Sequence, residues 1–185
     1  MAEQHPNHPR VLVTFATRGG STRELAEQVA QVLEQSGLTV DLQPVTAPID
    51  CASYHAVVLG SALYFQRLMP EALQFLTNHA PLLATRPLVI FSVGAEMRKG
   101  TPAAHAAAET WVRQSMSSIP QLQPIVVEHF AGAVELRRLG ILWRLLVLIS
   151  FGERGDWRDI PRVRAWSTAL LPHLGVAGMT HTSEA

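Results

Sequence analysis

The segment Val11-Leu12-Val13-Thr14-Phe15-Ala16-Thr17-Arg18-Gly19-Gly20-Ser21-Thr22-Arg23-Glu24 runs an apolar strand straight into a small, hydroxyl-rich turn that opens an amphipathic helix. A turn of this kind is an anion socket. Thr17, Ser21 and Thr22 offer hydroxyl donors, Gly19 and Gly20 let a ligand approach the backbone, and the unpaired N–H groups of the helix start point at the same spot. The chain lacks Gly-x-x-x-x-Gly-Lys-Ser/Thr, so the lysine and the magnesium-binding hydroxyl of nucleoside triphosphate chemistry do not follow the turn. Gly-x-Gly-x-x-Gly is also absent, which weakens a dinucleotide reading. A second interpretation stands beside the socket: Ser21-x-x-Glu24 is by itself a capping box, and the two are compatible.

Outward from this turn, strand-like and helix-like segments alternate, which predicts a doubly wound α/β fold with a parallel sheet. The first helix, Ser21 to Ser36, carries Leu25, Val29, Val32 and Leu33 on one stripe and stops at Gly37. Further strands are expected at Thr39–Gln43, Ala56–Leu59, Leu88–Val93 and Ile125–Phe130, making five. Helices are expected from Pro70 to Ala80 and from Pro102 to about Ser118, the latter with Thr101 as N-cap. A last helix starts near Asp159, buries Val163, Trp166, Leu170 and Leu171, and ends around Pro172.

In open sheets of this kind ligands sit beyond the carboxyl ends of the strands, where the strand order reverses. Three loops meet there: the turn Thr17–Thr22; Gly60-Ser61-Ala62-Leu63-Tyr64-Phe65 after the third strand; and Ser92-Val93-Gly94-Ala95-Glu96 after the fourth. Thr17-x-x-Gly20-x-Thr22 resembles the FMN-phosphate loop of flavodoxin-like proteins, where hydroxyls and amides hold the phosphate. That resemblance implies FMN as cofactor and a strand order 2-1-3-4-5. The candidate cofactor-binding residues are Thr17, Arg18, Gly19, Gly20, Ser21, Thr22, Ser61, Ala62, Leu63, Tyr64, Ser92, Val93, Gly94 and Ala95. The small residues let amides reach a ring edge, and Tyr64 is either a stacking face or a half-buried loop anchor.

Ala16 to Ala26, Gly60-Ser-Ala-Leu-Tyr64, Phe91-Ser-Val93 and Arg98-Lys99-x-Thr101-Pro102 are similar to the menaquinone-dependent protoporphyrinogen IX dehydrogenase family and its flavodoxin-domain relatives. So are Phe130-Ala-Gly132, the apolar stretch Leu139 to Ile149, and Asp156-Trp157 before the final helix. The resemblance implies an FMN-dependent oxidoreductase that oxidises a porphyrinogen-type substrate and passes electrons to a quinone. Arg98 and Lys99, just past the third loop, are candidates for pairing with substrate carboxylates, against a reading as solvated surface charges. No residue stands out as catalytic; Glu96 is the nearest general base by position. No metal site is expected.

The insertion, about 131–155, contains an apolar run with Leu136, Ile141, Trp143, Leu146 and Phe151, interrupted by Arg137, Arg138 and Arg144. It is too short to span a bilayer. Three placements remain for a helix over 136–151: on the sheet, in a homodimer interface, or as a peripheral contact at a membrane surface where a quinone would be met. Residues 1–9, with His5-x-x-His8 between prolines, read as a flexible arm, 10–175 as one flavodoxin-like domain, and 176–185 as a flexible tail.

Among 185 residues, 15 basic and 15 acidic side chains cancel, so no bulk field calls for nucleic acid. The single cysteine, Cys51, excludes an intramolecular disulfide, and no apolar signal core follows Met1. The expected location is the cytoplasm, either free or at the inner face of the cell membrane. Alternatives to the dehydrogenase are a soluble flavodoxin-type shuttle, an NAD(P)H:quinone reductase-like flavoprotein, and a flavin-free binding module. A shuttle usually carries an acidic face to steer toward basic partners, and the neutral balance disfavours it.

Overall fold

The structure is a computed structural model that describes residues 9–134 and 155–175. The arm with His5 and His8, the proposed helix 136–151 and the tail 176–185 lie outside the described residues. Strands β1 (Arg10–Ala16), β2 (Thr39–Pro44), β3 (Ala56–Tyr64), β5 (Leu88–Gly94) and β6 (Val126–Ala131) form a parallel sheet in the order β2-β1-β3-β5-β6. This is the expected order 2-1-3-4-5, renumbered by one additional short strand, β4 (Arg67–Leu68), which pairs antiparallel with the end of β3.

The two faces of the sheet are covered by different helices. Val11, Val13 and Phe15 of β1 pack with Leu25, Val29 and Leu33 of α1 (Ser21–Gln35) and with Val163 and Leu170 at α5 (Ile160–Ala169). Leu12 and Ala16 face the other way, toward α2 (Pro70–Asn78), α3 (Ala80–Leu83) and α4 (Pro102–Ser115). Val57, Leu59, Val89 and Ile90 in the central strands are fully buried, each side chain worth about 1.5–3 kcal/mol of burial. Continuous apolar runs in β3 and β5 follow from this two-sided cover. Trp166 and Leu171 are only half-buried, although they pack on the same cluster.

Several helix ends agree with the sequence reading. Thr101 caps α4 by accepting a hydrogen bond from the Ala104 N–H at 3.2 Å, with Pro102 at the first helical position. Asp159 caps α5 by accepting from the Arg162 N–H at 3.0 Å. The capping box at Ser21 does not form. Helix α1 begins at Ser21 itself, its N-cap is Gly20 at φ 89°, and the Glu24 carboxylate instead pairs with Arg158.

The sequence predicts a loop from Gly60 to Phe65, whereas β3 continues through Tyr64. Ser61 has a register partner on either side, Ala16 and Ser92, and beyond it Leu63 and Tyr64 pair with Leu68 and Arg67. Phe65 and Gln66 form the turn, both at positive φ, 48° and 64°. A two-residue hairpin whose twist matches its strands needs that conformation, which side-chain-bearing residues adopt only under strain. A second antiparallel pair, β7 (Ala133–Val134) with β8 (Gly155–Asp156), closes the two ends of the insertion.

Candidate functional site

At the carboxyl rim, the Gly20 N–H donates to the Thr17 hydroxyl at 3.1 Å and folds the turn back on itself. The first-turn amides of α1 then lack intrahelical acceptors, as at any helix start. Thr22 sits in that turn with no exposed surface, and its Oγ1 has no hydrogen-bond partner among the described residues. A buried hydroxyl left unbonded costs about 1–3 kcal/mol, so an acceptor belongs beside it. Gly132, at the end of β6, closes over the same turn: a Cβ there would lie 3.2 Å from Ser21 Oγ and 2.9 Å from Val93 Cγ1. An orphaned hydroxyl, a helix start and a glycine-backed opening suit a phosphate group with no cation required. Arg18 turns away toward Glu71, at 3.7 Å, and its guanidinium carbon lies 5.9 Å from the Tyr64 ring centroid. Burial raises the Tyr64 phenol above its ordinary pKa, opposed by Arg18.

The second and third loops open onto a cavity of about 770 Å³. Leu63, Gly94 and Ala95 of the candidate set line it, together with Phe65, Trp111 and an alanine-rich face of α4. Phe65 is 63% exposed at the strained hairpin tip. Nothing in Tyr64-Phe65-Gln66-Arg67 announces a turn, since the usual glycine, asparagine or aspartate is missing.

Other candidates are placed differently. Ser61 Oγ accepts from the Met69 N–H at 3.0 Å, and Ser92 Oγ lies 2.7 Å from His129 Nδ1; both serines are fully buried, so their hydroxyls serve the scaffold of the loops. Ala62 and Val93 are buried as well. Lys99 lines the cavity and pairs with Glu96 at 2.7 Å, while the Arg98 guanidinium carbon stands 5.4 Å from the Trp157 ring centroid. Cys51 is buried far from this rim by sequence and topology, with its thiol pushed up to about 11 by burial and Asp50, so it stays protonated.

A family model described as Flavodoxin domain matches residues 12–159. The chain belongs to this family. Among curated proteins, this flavodoxin-domain chain is similar to the quinone-linked protoporphyrinogen IX dehydrogenase of Escherichia coli (strain K12). The two are 26% identical over 160 residues, covering 82% of this chain and 86% of that protein. Among solved structures, oxidised flavodoxin 1 from Bacillus cereus matches with a TM-score of 0.58 at 12% identity, over 89% of this chain and 98% of that one. Flavodoxin 2 from Bacillus cereus gives 0.55 at 16% identity, over 88% and 98%. Both likenesses show the flavodoxin-like fold.

Proposed function

We propose that this chain binds FMN and acts as an oxidoreductase on a porphyrinogen-type substrate, with a quinone as electron acceptor. Membership of the flavodoxin-domain family supports a flavoprotein of redox type, and the Escherichia coli relative supports the substrate and acceptor. The observation that carries the reading is the buried hydroxyl of Thr22 at the start of α1, without a hydrogen-bond partner among the described residues, at the same carboxyl rim of the sheet as the loops that line the cavity.

When bound, FMN supplies the two-electron chemistry, and the protein supplies placement and electrostatics. Thr22, Ser21 and the first-turn amides would hold the phosphate. The backbone at Leu63, Gly94 and Ala95 would border the ring, with Phe65 and Trp111 providing apolar, water-excluding walls. Lys99 is held by Glu96 on the cavity wall and is the cation best placed to receive a substrate carboxylate by exchange of partners. Arg98, against Trp157, is the second. The quinone would be met through the insertion, at a membrane surface or a subunit interface.

Reconstitution with FMN, followed anaerobically, tests the assignment. Flavin bleaching by protoporphyrinogen, with recovery on adding menaquinone, is the expected result. Bleaching by NAD(P)H alone would redirect the assignment to an NAD(P)H:quinone reductase, and failure to take up FMN would overturn it.

A further inference from the structure

One layer below the rim, Ser61, Ser92 and His129 are register partners across β3, β5 and β6 and therefore share a face of the sheet. His129 is 4% exposed, with Nδ1 2.7 Å from Ser92 Oγ and Nε2 3.2 Å from Glu109 Oε2 on α4. The carboxylate only accepts, so Nε2 carries the proton of the neutral ring, and bare Nδ1 accepts from the Ser92 hydroxyl. Two residues beyond Ser61 and Ser92 on the same strands, Leu63 and Gly94 line the cavity. The chain Ser92–His129–Glu109 thus ties the base of the third loop to the helix that forms the cavity wall.

Every group facing this imidazole bears on its charge. From α4 come Glu109, whose other oxygen accepts from Arg113 at 2.9 Å, and His105, its ring centroid 6.2 Å away. From β6 comes Glu128, which accepts from the His129 N–H at 2.8 Å and from Arg162 of α5 at 3.0 Å. Each carboxylate is already matched by an arginine. Burial keeps His129 below the ordinary histidine pKa, against the opposing pull of Glu109. Adding a proton would turn Nδ1 into a donor toward Ser92 Oγ and force the buried Ser92 hydroxyl to find another acceptor.

We propose that His129 is a positioning residue that reports its protonation state, through Ser92, to the end of β5 and the 3-10 helix Ala95–Lys99 that follows it, so that acid loosens the site's hold on FMN. This rests on FMN being the ligand.

The test is FMN titration by quenching of flavin fluorescence, from pH 8 to pH 5, in the wild type, His129→Gln and Ser92→Ala. The FMN phosphate titrates in the same range, but identically for all three, so the ratio of dissociation constants isolates the imidazole. On lowering the pH, the wild-type constant should rise more than that of either variant, by a factor that climbs toward the roughly tenfold limit of one pKa unit of coupling as the imidazole gains its proton. Glu109→Gln, which keeps the imidazole but removes the carboxylate favouring its charged form, should shift the wild-type rise to lower pH. Parallel profiles in all the proteins that fold overturn the inference and leave FMN binding standing. No FMN uptake by the wild type at pH 8 overturns the proposed function and this inference with it.

Discussion

Thr22→Val removes one oxygen and keeps the shape of the side chain, and its two consequences point in opposite directions. In the protein without ligand, Thr22 Oγ1 is buried and has no partner among the described residues. Its replacement by a methyl group relieves an unmet hydrogen bond, which stabilises the ligand-free fold by about 1 kcal/mol, the low end of the cost of an unsatisfied buried group. For a domain of this length that is roughly 2–4 °C in Tm. With FMN present, the same substitution removes a hydrogen bond to a charged acceptor, worth about 1.5–3 kcal/mol, or roughly 10- to 140-fold in Kd. Differential scanning fluorimetry on the flavin-stripped protein and flavin fluorescence titration read the two effects separately. A variant that melts several degrees lower would mean the hydroxyl already has a use in the empty fold. An unchanged Kd would remove Thr22 from the phosphate site.

Gly60→Ala should destabilise the protein by about 1–3 kcal/mol in urea unfolding, because its Cβ would meet the buried Phe91 ring, which has no room to move between Phe130 and Trp166. Phe65→Gly should raise the melting temperature by releasing strain at φ 48°, of the order of 1 kcal/mol, while weakening FMN binding through loss of an aromatic wall; equal or tighter binding would show that Phe65 does not border the ligand. The stability of the ligand-free protein should fall as the pH drops below about 6.5: His129 has a depressed pKa in the fold, so the unfolded chain binds more protons in that window. His129→Gln should flatten that slope in urea titrations at pH 7, 6 and 5, and an unaltered slope would assign it to other groups.

The strands and helices were legible because β1, β3 and β5 are buried on both faces and read as unbroken apolar runs, and because α1 carries an apolar stripe and α4 a cap that local sequence specifies; the order of the strands came from the resemblance of the Thr17–Thr22 turn to a flavodoxin-like loop. The turn Thr17–Thr22 between β1 and α1 was legible because its hydroxyls and glycines are contiguous in the sequence. The β3 hairpin was not, since Phe65 and Gln66 take a conformation that their own preferences oppose and that only the pairing of Leu63 and Tyr64 with Leu68 and Arg67 imposes. Ser21-x-x-Glu24 misled because a partner distant in sequence, Arg158, takes the carboxylate. The Ser92–His129–Glu109 chain draws on two strands and a helix, and its members acquire meaning only through register. Trp111 reads in isolation as one more apolar position on α4, and only the cavity beside it distinguishes it.

The clasp made by Ala133–Val134 with Gly155–Asp156 returns the polypeptide to within one strand spacing of where it departed. Whatever length of chain lies between those four residues, the framework below feels the same two tethers. A different segment grafted between Val134 and Gly155 would therefore meet the same two anchoring points, and the flavin platform would keep its geometry.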